Sequence, residues 1–293
     1  MQKLGLVILV PAYNEEARIG PTLEAYGAYF REHYRREHQI LVVLNGCRDN
    51  TLGVVQQCAV KFPSITWAIF EAPIGKGGAL IEGLKLVTDA EFVGYTDADG
   101  STPPDSFFRL VELCAETDCV VGSRRIEGSV IRQLQPTKRL LASRVFHMLV
   151  EMLFHMGILD TQCGAKVVRV AAVQRILPML NIADMAFDIN LLYSLKRAGY
   201  RLREAPVEWT DHIGSKVRYF RTSIVMFLSI FRLRIIYSPL HGVLRFLRPV
   251  EAWIYKALRN PAPRLPDKPP KQPPAEPPTK SDEPKDDIDS SNR

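Results

Sequence analysis

The chain has 293 residues, of which 46% are hydrophobic, and a formal net charge of +6 at pH 7. This length and composition allow a full-sized core and exclude a small scaffold stapled by disulfide bonds. The five cysteines are scattered, odd in number and without CxxC spacing, so we expect buried thiols in a reducing compartment. A strand-like run begins at residue 4, which leaves no room for a secretory leader and predicts a cytoplasmic location.

The first 125 residues alternate β-rich runs with helix-like stretches. This is the pattern of βαβ units, and it predicts an α/β fold with a mainly parallel sheet and flanking helices. The predicted strands cover residues 4–10, 40–44, 65–70, 92–96 and 119–122, and the predicted helices cover residues 15–32, 51–61, 77–87 and 104–115. Open sheets of this kind bind ligands beyond the carboxyl ends of their strands. The motifs PAYNEE, NGCRDNT, DADGS and GSRR each follow a strand, so we expect them to meet at that edge.

Composition divides the chain into three parts. Residues 1–212 form the predicted globular domain, which is completed by helices at 138–157 and 170–180 and a strand at 202–209. Residues 213–260 form the second part, in which residues 214–260 carry nine Lys or Arg against one acid, interleaved with apolar side chains. This pattern predicts amphipathic helices on an anionic membrane surface, rather than a nucleic-acid site. Residues 261–293 are rich in Pro, Lys, Asp and Glu, which predicts a disordered tail.

The basic segment is not expected to cross a bilayer. Its longest uncharged runs, residues 222–231 and 235–244, are half of the roughly 20 residues that a crossing requires. Two interfacial helices that break near Pro239 are therefore predicted. The alternative is a pair of ordinary core helices with solvated arginines.

The strongest local signal is TDADG, which places Asp97 and Asp99 at the end of a predicted strand. Residues two apart on an extended strand share a face, so both carboxylates are expected to converge on a divalent cation, or on a cation and a ribose. A nucleotide diphosphate needs such a cation, because it gains negative charge as it departs. The alternative interpretation is a solvated acidic turn, since Asp and Gly are common in loops.

Three weaker motifs precede it. In VPAYNEE we expect Tyr13 to pack on a nucleotide base and Glu15 to accept hydrogen bonds from hydroxyls, whereas the structural alternative makes Asn14 a helix N-cap. In NGCRDNT, Asn45 offers an amide to a base edge. In GKGGA, Lys76 lies at a glycine-rich helix entry from which it can approach a phosphate. The spacing of GKGGA is not that of a Walker A loop.

In this order the motifs resemble family 2 glycosyltransferases of the GT-A, Rossmann-like fold. Three later blocks are more discriminating, namely LDTQCGAK at residues 159–166, MAFDINLLY at 185–193 and VEWTDHIGSKV at 207–217. They are similar to blocks of dolichyl-phosphate β-glucosyltransferases and, less closely, of dolichyl-phosphate mannose synthases. The resemblance implies inverting transfer of a hexose, first of all glucose from UDP-glucose, to a dolichyl or other polyprenyl phosphate.

The resemblance also implies a set of site residues, carried over by position. Catalytic roles fall to Asp99, Asp188 and Arg124. Donor binding falls to Pro11, Ala12, Tyr13, Glu15, Asn45, Lys76, Asp97 and Ala98. Acceptor or phosphate binding falls to Arg132, Gln162 and Lys216. Asp99 is the implied principal ligand of a Mg²⁺ or Mn²⁺ ion, with Asp97 as the second ligand.

Two positions depart from the family pattern. An acidic DDGS turn is common in the family, and this chain instead has Leu44, Asn45, Gly46 and Cys47, which leaves the choice between uracil and guanine open. Ser101 stands where mannose synthases often have glutamine, which favours the glucosyl branch. The remaining alternatives are GDP-mannose-dependent transfer, transfer to a soluble or glycan acceptor, and a non-catalytic protein that binds nucleotide sugar or lipid phosphate.

The implied acceptor needs no general base. The second pKa of a phosphomonoester is about 6, so a lipid phosphate is already a nucleophile near neutral pH. Bringing two anions together and stabilising the leaving diphosphate requires a metal and several Arg or Lys residues. The expected partners are a nucleotide sugar, a lipid phosphate and the cytoplasmic face of a membrane, to which the protein binds peripherally.

Overall fold

The computed structural model describes residues 3–132, 137–184, 186–210 and 219–238, with backbone alone for 137–142 and 219–225. The strands are β1 (Leu4–Ala12), β2 (His38–Asn45), β3 (Ile65–Phe70), β4 (Ala90–Tyr95), β5 (Cys119–Ser123), β6 (Val130–Ile131), β7 (Lys166–Arg169), β8 (Leu202–Pro206) and β9 (Glu208–Trp209). The α-helices are α1 (Ile19–His33), α2 (Thr51–Lys61), α3 (Gly75–Leu86), α4 (Pro104–Leu113), α5 (Thr137–Phe154), α6 (Val170–Ile176), α7 (Phe187–Arg197) and α8 (Tyr219–Ile236). Each strand and helix predicted for residues 1–209 is present; α2 and β3 have the predicted bounds, and the bounds of the others are shifted.

Seven strands form one sheet in the order β3-β2-β1-β4-β7-β5-β8. Strand β7 runs antiparallel to both of its neighbours, β4 and β5, and the other pairings in this sheet are parallel. The prediction of a mainly parallel sheet is therefore confirmed. Strand β7 was not expected, because it is only four residues long and begins with a lysine. A separate two-stranded sheet joins β6 to β9.

The burial of strand β1 shows that the sheet is covered on both faces. Its central residues are all buried, as expected for a parallel strand between two layers of helices. Because successive side chains of a strand point to opposite faces, Val7 and Leu9 join one core cluster. Leu6, Ile8 and Val10 join the other cluster. Only the strand ends remain open for polar side chains.

Helix α1 begins later than predicted, and its late start shapes the loop after β1. The helix starts at Ile19, and Asn14 does not cap it. Asn14 instead adopts a left-handed backbone with φ of 55°, and its Oδ1 accepts a hydrogen bond of 2.8 Å from the backbone N–H of Arg48. The interpretation of Asn14 as an N-cap is therefore wrong. The residue ties the β1 loop to the β2 loop.

Helix α8 contributes to the core. Ile230 and Leu233 are buried, and Ser229 donates a 2.6 Å hydrogen bond to Asp184. Phe227 and Phe231 are 38% and 39% exposed on the same helix. Within the described ranges, no helix is long and apolar enough to span a membrane. Most of the predicted basic segment, including Lys216, and the whole tail from residue 261 lie outside the described residues.

The cysteines are free thiols, as predicted. Cys58, Cys114, Cys119 and Cys163 are buried, and Cys47 is half-buried. Burial raises the pKa of the Cys163 thiol to about 11. These side chains therefore act as small apolar groups.

Candidate active site

The acidic turn after β4 is the centre of the site. Strand β4 ends at Tyr95, so Asp97 and Asp99 lie in a turn and not on an extended strand. The argument that two residues on one strand share a face is therefore wrong here, because the strand stops two residues before Asp97. Gly100 has a φ of 72°, which allows the chain to reverse after Asp99.

Two side chains of helix α1 hold this turn by hydrogen bonds. Thr22 donates a 3.0 Å hydrogen bond to the carbonyl oxygen of Ala98, which is buried. The Tyr26 hydroxyl lies 3.1 Å from Thr96 Oγ1 and 3.0 Å from the Thr102 carbonyl oxygen. It can donate to the carbonyl and accept from the threonine. The backbone on both sides of Asp97 and Asp99 is thus held by buried hydrogen bonds.

Both oxygens of Asp97 are already in contact with the protein. Lys76 Nζ lies 2.5 Å from Oδ1. A Cβ added to Gly164 would lie only 2.1 Å from Oδ2, so the absence of a side chain at Gly164 makes room for the carboxylate. Asp97 is therefore seated between a lysine of α3 and the loop that precedes β7.

Lys76 reaches this position because α3 packs closely on the start of α7. A Cβ added to Gly77 would lie 2.5 Å from the Asp184 carbonyl oxygen and 2.7 Å from Phe187 Cβ. Burial alone would lower the pKa of Lys76, but the carboxylates of Asp97, Asp188 and Asp99 raise it well above its ordinary value. The ammonium group therefore stays charged throughout the physiological range.

Four ion pairs lie around the turn, and among the described residues they do not include the carboxylate of Asp99. The pairs are Lys76–Asp97, Arg124–Asp160, Lys166–Asp188 and Arg18–Glu15. Asp99 forms no ion pair within the described part of the chain. Its Oδ1 accepts a 3.1 Å hydrogen bond from the backbone N–H of Ser101. Among these acidic residues, Asp99 is therefore the one without an ion-pair partner in the described ranges.

Asp188 belongs to a buried network. Its Oδ1 accepts 2.5 Å hydrogen bonds from the Tyr95 hydroxyl and from Lys166 Nζ. The Lys166 side chain is fully buried and also donates a 2.6 Å hydrogen bond to the carbonyl oxygen of Cys163. The network links the end of β4, the loop before β7 and the start of α7.

Arg124 is held by a second buried carboxylate. Its Nε and Nη2 donate hydrogen bonds of 2.7 and 2.9 Å to Asp160, and its backbone N–H donates another of 3.0 Å. The guanidinium carbon lies 4.8 Å from the ring centre of Trp209. The carboxylate of Glu204, on β8, accepts hydrogen bonds of 2.9 Å each from the backbone N–H groups of Leu159 and Asp160. Arg124 thus has a fixed plane and a compensated charge.

The predicted donor residues lie at the ends of β1 and β2. Pro11 and Ala12 close β1, and Tyr13 follows with half of its surface exposed. Asn45 closes β2, and its Oδ1 accepts a 2.6 Å hydrogen bond from the backbone N–H of Ile74. Because that oxygen is occupied and the residue is buried, Asn45 fixes the loop before α3.

Glu15 lies close to the acidic turn. Burial raises the pKa of its carboxyl, Arg18 opposes this shift, and the charges of Asp99 and Asp97 add to it. Its two oxygens accept 2.8 Å hydrogen bonds from Arg18. Acceptance of a ligand hydroxyl by Glu15 would therefore compete with Arg18.

Of the predicted acceptor residues, the structure describes Arg132 and Gln162. Arg132 pairs with Glu208 beside the two-stranded sheet, and none of its contacts within the described residues is with the acidic turn. Gln162 lies two residues from Gly164, and its Nε2 is buried without a hydrogen-bond partner among the described residues. Lys216 is outside the described residues. Their proposed roles in acceptor binding stay predictions.

The acidic turn fits a divalent cation that is completed by a ligand. Within residues 3–132, 137–184, 186–210 and 219–238, no three His, Cys, Asp or Glu side chains converge as a metal site. Mg²⁺, however, is usually held by one or two carboxylates together with substrate phosphates and water. Asp99, which is unpaired, and Asp97, two residues earlier, supply such a partial set.

Several structural residues of this site were missed by sequence reasoning. The block LDTQCGAK was noted for its resemblance, but only Gln162 was singled out from it. Asp160, Gly164 and Lys166 of the same block contact Arg124, Asp97 and Asp188, respectively. A lysine at the head of the apolar run KVV was the available signal, because a charge in a buried strand requires a partner.

Comparison with known proteins identifies the family. The model described as "Glycosyl transferase family 2" matches residues 7–177. A dolichyl-phosphate β-glucosyltransferase of Dictyostelium discoideum is 30% identical over 245 residues, which cover 79% of this chain and 74% of the relative. A dolichyl-phosphate β-glucosyltransferase of Trichomonas vaginalis is 34% identical over 221 residues, which cover 72% of this chain and 65% of the relative.

Solved structures agree on the fold. Glucosyl-3-phosphoglycerate synthase from Mycobacterium tuberculosis, in complex with Mn²⁺, UDP and glucosyl-3-phosphoglycerate, has a TM-score of 0.58 and 15% identity, and the match covers 80% of this chain and 82% of that one. A mannosyltransferase from Pyrobaculum calidifontis, in complex with GDP-Man and Mn²⁺, has a TM-score of 0.56 and 18% identity, with 88% and 74% covered. The fold is that of the GT-A glycosyltransferases. The chain belongs to glycosyl transferase family 2, which confirms the resemblance seen in its motifs.

Proposed function

We propose that the protein transfers glucose from UDP-glucose to a dolichyl or other polyprenyl phosphate, with inversion at the anomeric carbon. Relatives that match 79% and 80% of the chain are named dolichyl-phosphate β-glucosyltransferase, which supports glucose as the sugar and dolichyl phosphate as the acceptor. The observation that carries the proposal is the carboxylate of Asp99, which forms no ion pair among the described residues and follows the Lys76–Asp97 pair by two positions. It would hold a divalent cation, which would supply positive charge to the diphosphate.

In this proposal, different groups around the acidic turn bind the cation, the diphosphate and the nucleoside. Asp99, and with it Asp97, would hold a Mg²⁺ or Mn²⁺ ion, which when bound neutralises charge on the diphosphate. Lys76 adds a second positive charge at the start of α3, where backbone N–H groups also favour anions. Tyr13, Pro11 and Ala12 would contact the nucleoside at the end of β1.

The buried network makes Asp188 a positioning residue in this scheme. Its Oδ1 is bound to Lys166 and Tyr95, so it is poorly placed to accept a proton from an acceptor. A lipid phosphate with a second pKa of about 6 does not require a residue that removes its proton. The proposed chemistry is therefore direct attack by a phosphate oxygen, with Asp188 holding the end of β4, the loop before β7 and the start of α7 together.

On the acceptor side, Gln162 supplies a buried N–H group that lacks a partner in the described structure. A buried donor left unsatisfied costs about 1–3 kcal/mol, so a ligand oxygen at this position would be favoured. Arg124 would act as a fixed positive charge, because its Nε and Nη2 are engaged with Asp160.

The lipid acceptor requires the site to approach a membrane. Helices α5 and α8 contact each other and expose Met148, Met152, Phe227 and Phe231. Together with the basic residues of segment 213–260, such side chains suit a peripheral contact with an anionic cytoplasmic leaflet. The described part of α8 also buries Ile230 and Leu233, so the helix would join the core to the lipid surface.

The direct experiment is a transfer assay with the purified full-length chain. UDP-glucose, UDP-galactose and GDP-mannose are each incubated with dolichyl phosphate in the presence of Mn²⁺, Mg²⁺ or EDTA, and the lipid product is identified by mass. We expect a hexosyl dolichyl phosphate from UDP-glucose with either metal and none with EDTA. A β configuration of the product, determined by NMR, is expected for inversion.

The same assay separates the alternatives. Product from GDP-mannose alone would replace the proposal with mannosyl transfer, and transfer to water-soluble sugars in preference to dolichyl phosphate would replace the acceptor. Binding of UDP-glucose without turnover, under conditions where the lipid is dispersed, would identify a non-catalytic binding protein.

Membrane contact is tested by sedimentation with vesicles. The parent chain should bind phosphatidylserine vesicles and bind phosphatidylcholine vesicles less. A Met148→Asp, Met152→Asp double variant should lose binding, while the same substitution at exposed Val60, on α2, should not. Equal binding of both variants would remove the α5 surface from the proposal.

A further inference from the structure

The Lys76–Asp97 ion pair differs from its neighbours in being open to ligands. The side chains of Lys76 and Asp97 are 26% and 25% exposed, whereas those of Lys166 and Asp188 are 0% and 7% exposed. A pair that both water and ligand can reach is exchangeable, because its separated charges can be solvated or compensated by new partners.

The geometry leaves a divalent cation little access to Asp97 while this pair exists. Oδ1 is 2.5 Å from Lys76 Nζ, and Oδ2 faces the space that a Gly164 side chain would fill. A cation that binds the ligand-free protein therefore meets Asp99, the carboxylate without a described cationic partner, before it meets Asp97. To use both carboxylates it must displace the lysine.

We propose that Lys76 is an internal stand-in cation that neutralises Asp97 until a diphosphate draws it away, so that the donor and the divalent cation bind cooperatively. A nucleotide diphosphate offers Lys76 a stronger anionic partner than one carboxylate. When Lys76 moves to the phosphates, Asp97 Oδ1 becomes a cation ligand. The lysine thus keeps the ligand-free site close to charge balance and couples the occupancy of the two ligands.

This inference rests on the proposed use of a nucleotide diphosphate, but it makes no statement about the sugar or the acceptor. The coupling is a free energy shared by the two ligands, so each must tighten the binding of the other by the same factor. UDP is a suitable probe because it carries the diphosphate and cannot transfer a sugar.

The test measures Mn²⁺ binding to the full chain by calorimetry, with and without saturating UDP. In the parent, Asp97→Asn should leave Mn²⁺ affinity nearly unchanged without UDP, because the ion does not use Asp97 there. With UDP the same substitution should weaken Mn²⁺ binding by about tenfold, the usual size of such a coupling. Asp99→Asn should weaken binding under both conditions.

Substitution of the lysine supplies the second arm. Lys76→Met should tighten Mn²⁺ binding without UDP by about five- to tenfold, and in this background Asp97→Asn should weaken Mn²⁺ binding even without UDP. UDP alone should bind Lys76→Met more weakly. Lys76→Arg should behave as the parent does, and Lys61→Met, which breaks the exposed pair with Glu24, serves as the matched control.

Three results would overturn the inference. The first is unchanged Mn²⁺ affinity in a folded Lys76→Met protein without UDP, and the second is an equal effect of Asp97→Asn with and without UDP. Absence of Mn²⁺ binding to the parent in the presence of UDP would overturn it as well. If the binding pattern holds and no glucose is transferred in the assay above, the proposed function fails and the inference stands.

Discussion

Two lysine–aspartate pairs lie close to the acidic turn and share a nitrogen–oxygen distance of 2.5 Å, yet they differ in exposure to solvent. Lys166–Asp188 is sealed in the core and also binds Tyr95 and the Cys163 carbonyl. The side chains of Lys76 and Asp97 are partly exposed. Burial, rather than distance, is therefore expected to decide whether an ion pair mainly stabilises the fold or can exchange its partners.

The sealed pair has a high cost if one partner is removed. A buried charge without its counterion destabilises a protein by about 3–5 kcal/mol, whereas a partly exposed pair contributes about 0–1 kcal/mol. Mutations at the two pairs should therefore affect different measurements, stability for one and binding for the other.

The largest effect is expected on catalysis at the turn itself. Asp99→Asn should reduce glucosyl transfer by about a thousandfold or more, because it removes the unpaired carboxylate that would hold the cation. Its free energy of unfolding should stay within about 0.5 kcal/mol of the parent value, since the residue forms no described ion pair. Transfer rates and urea unfolding measured on the same preparation check both parts. Parental activity in Asp99→Asn would contradict the proposed function.

The next effect separates the two ion pairs by stability. Lys166→Met should lower the free energy of unfolding by about 3–5 kcal/mol by leaving the Asp188 charge buried and uncompensated. Lys76→Met should lower it by no more than about 1 kcal/mol. Urea unfolding of both variants measures the difference. Recovery of stability in the Lys166→Met, Asp188→Asn double variant is the control, and equal losses at both lysines would break the comparison.

A smaller effect is expected from the glycine that seats Asp97. Gly164→Ala places a Cβ where the Asp97 carboxylate lies, and the flexible side chain would swing aside at little cost in stability. A displacement of this kind should reduce transfer by about 10- to 100-fold. Steady-state assays check it, and in an Asp97→Ala background the same glycine substitution should add nothing further.

The smallest effect is a dependence of stability on acid. Burial alone would raise the pKa of Asp160, but its hydrogen bonds and charge interaction with Arg124 hold the pKa below the ordinary value of 3.8. The folded protein therefore favours the ionised carboxylate, and the pair stabilises the fold fully above about pH 4 and loses this contribution as pH falls through the folded pKa. The stability difference between the parent and Asp160→Asn, followed by urea unfolding from pH 6 to pH 3, should shrink over that interval. A difference that is constant with pH would show that the charge of Asp160 does not matter.

The sequence was sufficient to predict the strands and helices of the parallel half of the sheet. The runs that end just before Pro11, Asn45 and Asp97 are largely apolar and followed by polar motifs, so both the strands and the meeting of their ends were predictable. The first residue of α1 was not predictable, because Asn14 resembles a helix cap in sequence. Its side chain instead contacts Arg48, 34 residues away. Local pattern alone does not reveal such a partner.

The charge pairing of the site was also beyond the sequence. Arg124 and Asp160 are 36 residues apart, and Lys76 meets Asp97 only because α3 packs on α7 through Gly77. Arg124 and Asp188 were predicted as site residues from the resemblance, and Lys76 from its place at a glycine-rich helix entry. Nothing in the spacing showed that each is bound to an opposite charge. Compensation of charge is a property of the packed molecule.

The position of β7 has a consequence for how the chain acquires its shape. This strand enters the sheet between β4 and β5, both of which precede it in the chain. Until residues 166–169 arrive, the edge of β4 has no neighbour on that side, and Gly164 and Lys166 are absent from the surroundings of Asp97. Pairings between segments distant in sequence are slow to form. During synthesis, competence to bind the donor should therefore appear late, with the closing of the sheet's centre.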